Sequence, residues 1–278
     1  YTLMPPGAAR ALIGVMAHPL NRAVVVGDRV VAGYGFLQPR LEADPVGAAD
    51  TLFAEAFAGD RTVDLYTHAV SDVYQDLFGE GIYAGKGLYD PQVVARTLSD
   101  RLPESAVLSH DLLEGALSGA GFVSTVTCFE QYPASVLAYL RRLHRWIRGD
   151  WQLLPWLRRA VPLCDGGRAR NPLSILARWQ IIDNLRRSLE APTLLLLLSL
   201  AWSGWLPGQA LVWTVLLLAL SAQAVWAEVL ALLWQSVARP RGALRTVAAA
   251  GTGLRQRGLH WLLGLLLLPA QADRKSTR

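Results

Sequence analysis

Two nearly unbroken apolar runs limit what this chain can fold into. PTLLLLLSLAWSGWL covers 192–206, and after Pro207-Gly208 comes ALVWTVLLLALSAQAVWAEVLALLW at 210–234, interrupted only by Gln223 and Glu228. A helix needs ~20 mainly apolar residues to cross a bilayer. The second run has that length outright, and the first reaches it by starting near Leu189. A third run, LHWLLGLLLLPA at 259–270, is shorter than a span. The alternative for each is a buried core helix, but such helices seldom run this far without charge. The expectation is a globular part over 1–188 and a membrane region over 189–278, with spans near 189–206 and 210–234.

Arginines orient these spans. Arg186 and Arg187 precede the first, and Arg239, Arg241, Arg245, Arg255 and Arg257 follow the second, while the turn between them carries no Lys or Arg. The positive-inside rule puts both basic flanks, and the globular part with them, on the cytoplasmic side. Trp202, Trp205, Trp213 and Trp234 lie near the span ends, where indoles favour the interface. A mean hydropathy of +0.26 and a net charge of +5 agree with a lipid bilayer as partner. Outside these flanks no broad basic surface offers itself to nucleic acid. Cys128 and Cys164 show no metal spacing and no need to pair, as in a reducing cytoplasm. The start YTLMPPG lacks an initiating Met and any signal-peptide pattern, and QADRKSTR interrupts the third run, so a piece of a longer protein is expected.

In the globular part, strands alternate with helices, the pattern of an α/β domain. AARALIGVMAH (8–18) has helical spacing, with Leu12, Ile13 and Met16 on one face, and RVVAGYGFLQPRL (29–41) is β-rich. TLFAEAFAGD and residues 63–77 read as helical. In GEGIYAGKGLYD, Gly79, Gly81, Gly85 and Gly87 alternate with bulky residues, which marks a strand or tight loop whose backbone comes close to something. DPQVVARTLSDRL is a helix capped by Asp90 with Pro91 at its first position. SHDLLEGALSGAG reads as a helix with Ser109 able to cap it and Gly119 and Gly121 at its end. FVSTVTCFEQYP is a strand, followed by the helix PASVLAYLRRLHRWIRGDWQLL.

Two clusters could carry chemistry. In SHDLLEG, Asp111 sits in the first helical turn, where the dipole favours an anion, with Glu114 on the same face and His110 adjoining both. This can be a capping box or a general base held by its neighbours. A metal phosphohydrolase would need further ligands that His18, His68, His144 and His260 do not supply. In RRLHRWIRGDWQLLPWL (141–157), Arg142 and Arg145 lie three apart with Trp146 beside them. Such a pair can grip a diphosphate through planar forks while an indole stacks on a sugar. An interfacial helix is the alternative, although Asp150 and Gln152 interrupt its basic face. Trp151 and Trp156 are expected to pack it against the membrane-proximal side.

SHDLLEG followed, after a strand, by RLHRW resembles the acid-then-RxxRW order of processive inverting glycosyltransferases with the GT-A fold, where the first motif usually reads T-E-D and the second Q-x-x-R-W. LIGVMAHPLNR, AVSDVYQDLFGEGIYAGKGLYD, LPESAVLSHDLLEGA and HRWIRGDWQLLPWL resemble long stretches of the family 84 glycosyltransferase portion of cyclic β-1,2-glucan synthases, over about residues 2–240. The resemblance implies a partial GT-A-like domain followed by transmembrane helices in the bacterial inner membrane. It implies Asp111 as the base that deprotonates a glucose 2-hydroxyl for attack on UDP-glucose. Arg142, where relatives often have Gln, and Arg145 would face the diphosphate. Trp146, Tyr83 and Lys86 would meet the acceptor end of the growing glucan, and His110, Glu114 and Asp150 would support them.

The family also holds Mg²⁺ or Mn²⁺ through a D-x-D motif just before a Thr-x-x-Pro-like stretch that TLMPPG matches. Asp28 and Asp60 do not have that spacing. The resemblance therefore implies metal ligands upstream of Tyr1, no metal site in this chain, a phosphorylase-like region downstream, and no activity for this stretch alone. Two alternatives stay open: a related processive synthase with another linkage, or a non-catalytic membrane scaffold.

Overall fold

A computed structural model describes residues 2–44, 47, 51–58, 73–99, 101–103, 106–238 and 243–272. Asp60, His68, Arg239, Arg241 and the stretch 63–72 of the expected helix lie outside the described residues. The chain divides into two units. Residues 1–47, 61–132 and 141–187 form the first, and 48–60, 133–140 and 188–278 form the second.

The strands are β1 (Thr2–Leu3), β2 (Val24–Val26), β3 (Arg29–Ala32), β4 (Phe36–Ala43), β5 (Leu88–Tyr89), β6 (Ala120–Glu130), β7 (Ala160–Pro162) and β8 (Arg168–Arg170). The first unit is built on a mixed sheet of order β1-β6-β4-β5, in which β4 and β6 run parallel and the outer pairs antiparallel. Its β6 is rich in β-branched and aromatic residues, which suit a pleated, half-buried surface. Along β4 the partner jumps from Val123 at Pro39 to Thr127 at Arg40. Pro39 has no N–H to give the ladder, so the register breaks there. β2 with β3 and β7 with β8 make two small hairpins, and Asp28 in the turn of the first pairs with Arg101.

The described helices are α1 (Ala8–Ala17), α2 (Leu52–Ala58), α3 (Val73–Phe78), α4 (Pro91–Leu98), α5 (Asp111–Ser118), α6 (Val136–Gln152), α7 (Ile175–Trp202), α8 (Ala210–Ser221), α9 (Gln223–Ala238), α10 (Ala243–Leu266) and α11 (Leu268–Ala272). On α1, Leu12 is buried with Leu37, Val123 and Val126, whereas Ile13 is exposed. One residue is a rotation of about 100°, so Ile13 cannot share Leu12's face. Asp90 caps α4 as expected, accepting from the N–H groups of Gln92 and Val93. A buried Thr97–Ser118 hydroxyl pair at 2.6 Å ties α4 to α5, which ends at Gly119 with φ 69°. Only a residue without a Cβ adopts that turn without strain. The larger core joins Leu113 and Leu117 of α5 to Leu153, Trp156, Val161 and Ile181. Trp151 and Trp156 belong to this core rather than to a membrane-proximal face: Trp156 is buried within it and Trp151 packs on its edge.

The glycine-rich segment 79–87 is a loop held against the sheet. Gly81 N–H donates to the Ala120 carbonyl at 2.8 Å, and a Cβ at Gly87 would fall 2.0 Å from the Leu37 oxygen. Gln38, fully buried on β4, donates through Nε2 to the Pro39 carbonyl and accepts from the Ala84 N–H at 2.9 Å.

In the second unit, Phe57 of α2 is buried among Phe53, Tyr139 and His260. Among the described residues no single helix is long and apolar enough to cross a membrane. The run 210–234 is not one straight helix. α8 and α9 meet at Ala222 with a bend of 65°. The Trp226 indole donates to the Ala219 carbonyl at 3.0 Å, the acceptor that a continuous helix would offer to the Gln223 N–H. A side chain inserted into the i→i−4 ladder is a recognised cause of a kink. The run expected from Leu189 is the second half of α7, which starts at Ile175, carries its charges between Arg178 and Glu190 and has Pro192 inside it. The third run closes α10 and α11. Arg257 pairs with Glu228 at 3.0 Å and Trp261 donates to Ser221 at 2.9 Å, joining α10 to the α8–α9 pair. Leu211, Val215, Leu220, Leu230 and Trp234 are each more than half exposed.

Replacing Gln38 by Leu strips the Ala84 N–H of its partner without changing the side chain's bulk much. The expected loss is about 1–3 kcal/mol in a denaturant titration, with faster hydrogen exchange at Ala84.

Candidate functional site

The end of α6 holds the start of α5. Gly149 lies so close to the 108–109 segment that a Cβ there would stand 3.2 Å from Ser109 Cβ. Three residues later, Gln152 Oε1 accepts from the Leu108 N–H at 2.8 Å. These two contacts fix the backbone just before Asp111, the first residue of α5. Gly149 did not stand out in the sequence, and Gln152 read only as an interruption, with Asp150, of a basic helix face.

The capping box does not form. α5 takes His110 as its N-cap with no side-chain bond to the helix N–H groups. Ser109 instead donates its hydroxyl to Asp111 Oδ2 at 3.1 Å, and the His110 ring bonds through Nε2 to the Val107 carbonyl at 2.7 Å. The Asp111 carboxylate faces Gly85. A Cβ built there would meet all three carboxyl atoms at 2.7–2.8 Å, and Gly85 has φ 79°. The close approach that the glycine spacing announced is thus to the sheet at Gly81 and Gly87, and to the acid at Gly85.

Glu114 lies one turn along. Burial pushes its carboxyl above the usual range, the Asp111 charge adds to this, and His110 offsets part of it. Tyr83 is buried, with its ring centroid 4.4 Å from that of Phe36 and its backbone admitted by Gly115. Burial, then the charges of Glu114 and Asp111 and the nearby Tyr89, push its phenol up to about 12, so it stays protonated. Tyr83 supports the loop from within the core and offers no open face for stacking on a sugar.

A second cluster forms around a residue that the sequence did not single out. Glu130, at the end of β6, pairs with Lys86 of the loop and lies 3.3 Å from Arg142 Nη2. Arg142 also sits over the Trp146 ring, 4.4 Å from its centroid. Arg145 is exposed, so the two arginines do not share one environment. The grouping of Arg142, Arg145 and Trp146 on α6 was read from spacing; the acid that meets Arg142 comes from a strand end that no local pattern marks.

Asp150 points the other way. It accepts from Asn184 Nδ2 at 3.2 Å, Asn184 Oδ1 accepts from Arg187 at 2.6 Å, and Arg187 Nε lies 3.2 Å from Asp183. Burial lifts the Asp150 carboxyl to about 6, against the pull of Asn184 and Arg187. Among the described residues no three His, Cys, Asp or Glu side chains stand together as metal ligands, so the residues present do not fit an ion.

The chain is 40% identical over 214 residues to the cyclic beta-(1,2)-glucan synthase NdvB of Rhizobium meliloti (strain 1021), an alignment covering 76% of this chain and 7% of that relative. No family model matches the chain.

The Asp150 shift has a signed consequence. Its carboxyl is raised from 3.8 to about 6, so the folded protein keeps a proton that the unfolded chain gives up between those values. Stability from this group is present at low pH and is lost as pH rises through 6. Asp150→Asn removes the titration. Thermal melts of the two proteins should diverge in the variant's favour by on the order of 2 kcal/mol from pH 4 to pH 8.

Proposed function

Since the chain belongs to the cyclic β-(1,2)-glucan synthase family, we propose that it supplies part of the glucosyltransferase site of a membrane-bound, processive synthase. The donor is UDP-glucose and the acceptor is the end of the growing glucan. Asp111 takes the proton from an acceptor 2-hydroxyl as that oxygen attacks the anomeric carbon in line, and the configuration inverts to give a β-1,2 bond. UDP leaves as an anion toward Arg142, which Glu130 and the Trp146 ring hold in place, and exposed Arg145 one turn on adds a second positive charge. Trp146 offers its indole to the acceptor sugar. A Mg²⁺ or Mn²⁺ ion on the diphosphate belongs to the same reading, with ligands beyond the described residues.

The observation that carries this reading is the meeting of Asp111 with Gly85. A carboxylate held at a helix start by Ser109 lies against a loop with no side chain at the contact. The loop backbone therefore packs directly on the acid and fixes where it points, and the adjoining Lys86 brings a cation. A general base works only when its carboxylate is held within reach of the proton it removes. For the membrane part, the support is the apolar surface that α8 and α9 expose, together with Arg257 of α10, which pairs with the one charge of that run, Glu228. The bent run 210–234 is then a broken span in a cytoplasmic-side, inner-membrane protein.

Membranes carrying the full-length synthase, fed UDP-glucose and Mg²⁺, should make polymer whose linkage analysis gives β-1,2 bonds. Asp111→Asn should lower that rate by about 10²- to 10⁴-fold at unchanged expression. Polymer at the parent rate would remove Asp111 from the role of base. Gly85→Ala displaces the carboxylate and should cost up to about 10²-fold, since a shift near 1 Å at a reacting group has that effect.

A further inference from the structure

Glu130 ends β6 with its side chain only 18% exposed, and it meets a cation on each oxygen. One is Lys86, from the loop that passes Asp111. The other is Arg142, from α6, braced on its far side by the Trp146 ring. Two cations from separate segments repel one another at this range, and partial burial strengthens the repulsion. An anion between them turns the repulsion into a fixed arrangement. The trio keeps one net positive charge, and exposed Arg145 on the next turn adds a second, a match for a diphosphate.

We propose that Glu130 is a positioning residue for the nucleotide sugar: it holds Lys86 and Arg142 together as a preassembled cationic pair that receives the donor diphosphate. The inference rests on the reading of Arg142 given above and adds Lys86 to the donor side. Glu130 touches no reacting atom. It spares the two side chains the cost of being ordered when the donor arrives, which is how preorganisation raises affinity. The carboxylate acts on binding more than on the bond-making step, so its removal should move KM and leave kcat nearly alone.

The experiment measures initial rates against UDP-glucose concentration, with the full-length synthase in membranes. Glu130→Gln should raise KM about 10-fold with kcat within about threefold, and Glu130→Asp should recover part of the loss. Lys86→Met should raise KM alone, and the Lys86→Met/Glu130→Gln double variant should be no worse than the poorer single, because the groups act as one unit. A merely structural role for Glu130 would reduce active enzyme and leave KM unmoved; that result, or strict additivity in the double variant, overturns the proposal. If Glu130→Gln fails to accumulate, Lys86→Met decides: a raised KM supports the pair and an unchanged KM overturns it. A parent enzyme inert toward UDP-glucose and unaffected by UDP overturns the donor reading itself, and this inference with it.

Discussion

Parallel strands cannot be joined by a tight turn, so pairing Phe36–Ala43 with Ala120–Glu130 obliges the chain to lay down everything between them on the way. What it lays down is the site. The 79–87 loop is pinned to β4 by the buried Gln38 and to β6 through Gly81 and the Ala120 carbonyl. The helix bearing Asp111 ends at Gly119 and turns directly into β6, and β6 in turn delivers Glu130 to Lys86 and Arg142. Lost pairing at this one seam would free the acid, the loop and the cations together.

Four carboxylates in the first unit show how position decides what a charge does. Asp111, at a helix start with a hydroxyl donor beside it, is held against the loop at Gly85. Glu114, one turn deeper, is pushed toward its neutral form by burial and by Asp111. Asp150 is deeper in polar company and titrates near neutrality. Glu130 is ringed by cations. Identical chemistry thus meets four different surroundings, because desolvation and neighbouring charge act on each in different proportion.

The local features were legible in the sequence: the capped α4, the helix that starts at Asp111, the β-branched β6, the loop whose glycines announce close backbone contact. Periodicity and cap chemistry act within a few residues, so they can be read from the chain. What escaped depends on distant partners. Nothing near Gly149 tells that it lies on Ser109, and nothing near Glu130 tells that Lys86 and Arg142 converge on it. Trp156 shared a motif with interface-seeking residues, yet the core around Leu113 and Ile181 claimed it. The run 210–234 had the length and composition of a straight span, yet it bends by 65° at Ala222, where the Trp226 indole bonds the Ala219 carbonyl.

That indole, on Trp226, has a role different from the tryptophans at the ends of the run. A bend in oil exposes a carbonyl to surroundings that offer no hydrogen, at a cost of several kcal/mol. Here the donor travels with the bend, since Trp226 sits on the same apolar stretch and reaches back to Ala219. The Ala219 carbonyl thus has two donors at the elbow, the Ala222 N–H at 3.2 Å and the indole at 3.0 Å, so it needs neither water nor a neighbouring helix to satisfy it. In that sense the Trp226 side chain works beside the backbone: it doubles a hydrogen bond at the point where the ladder turns.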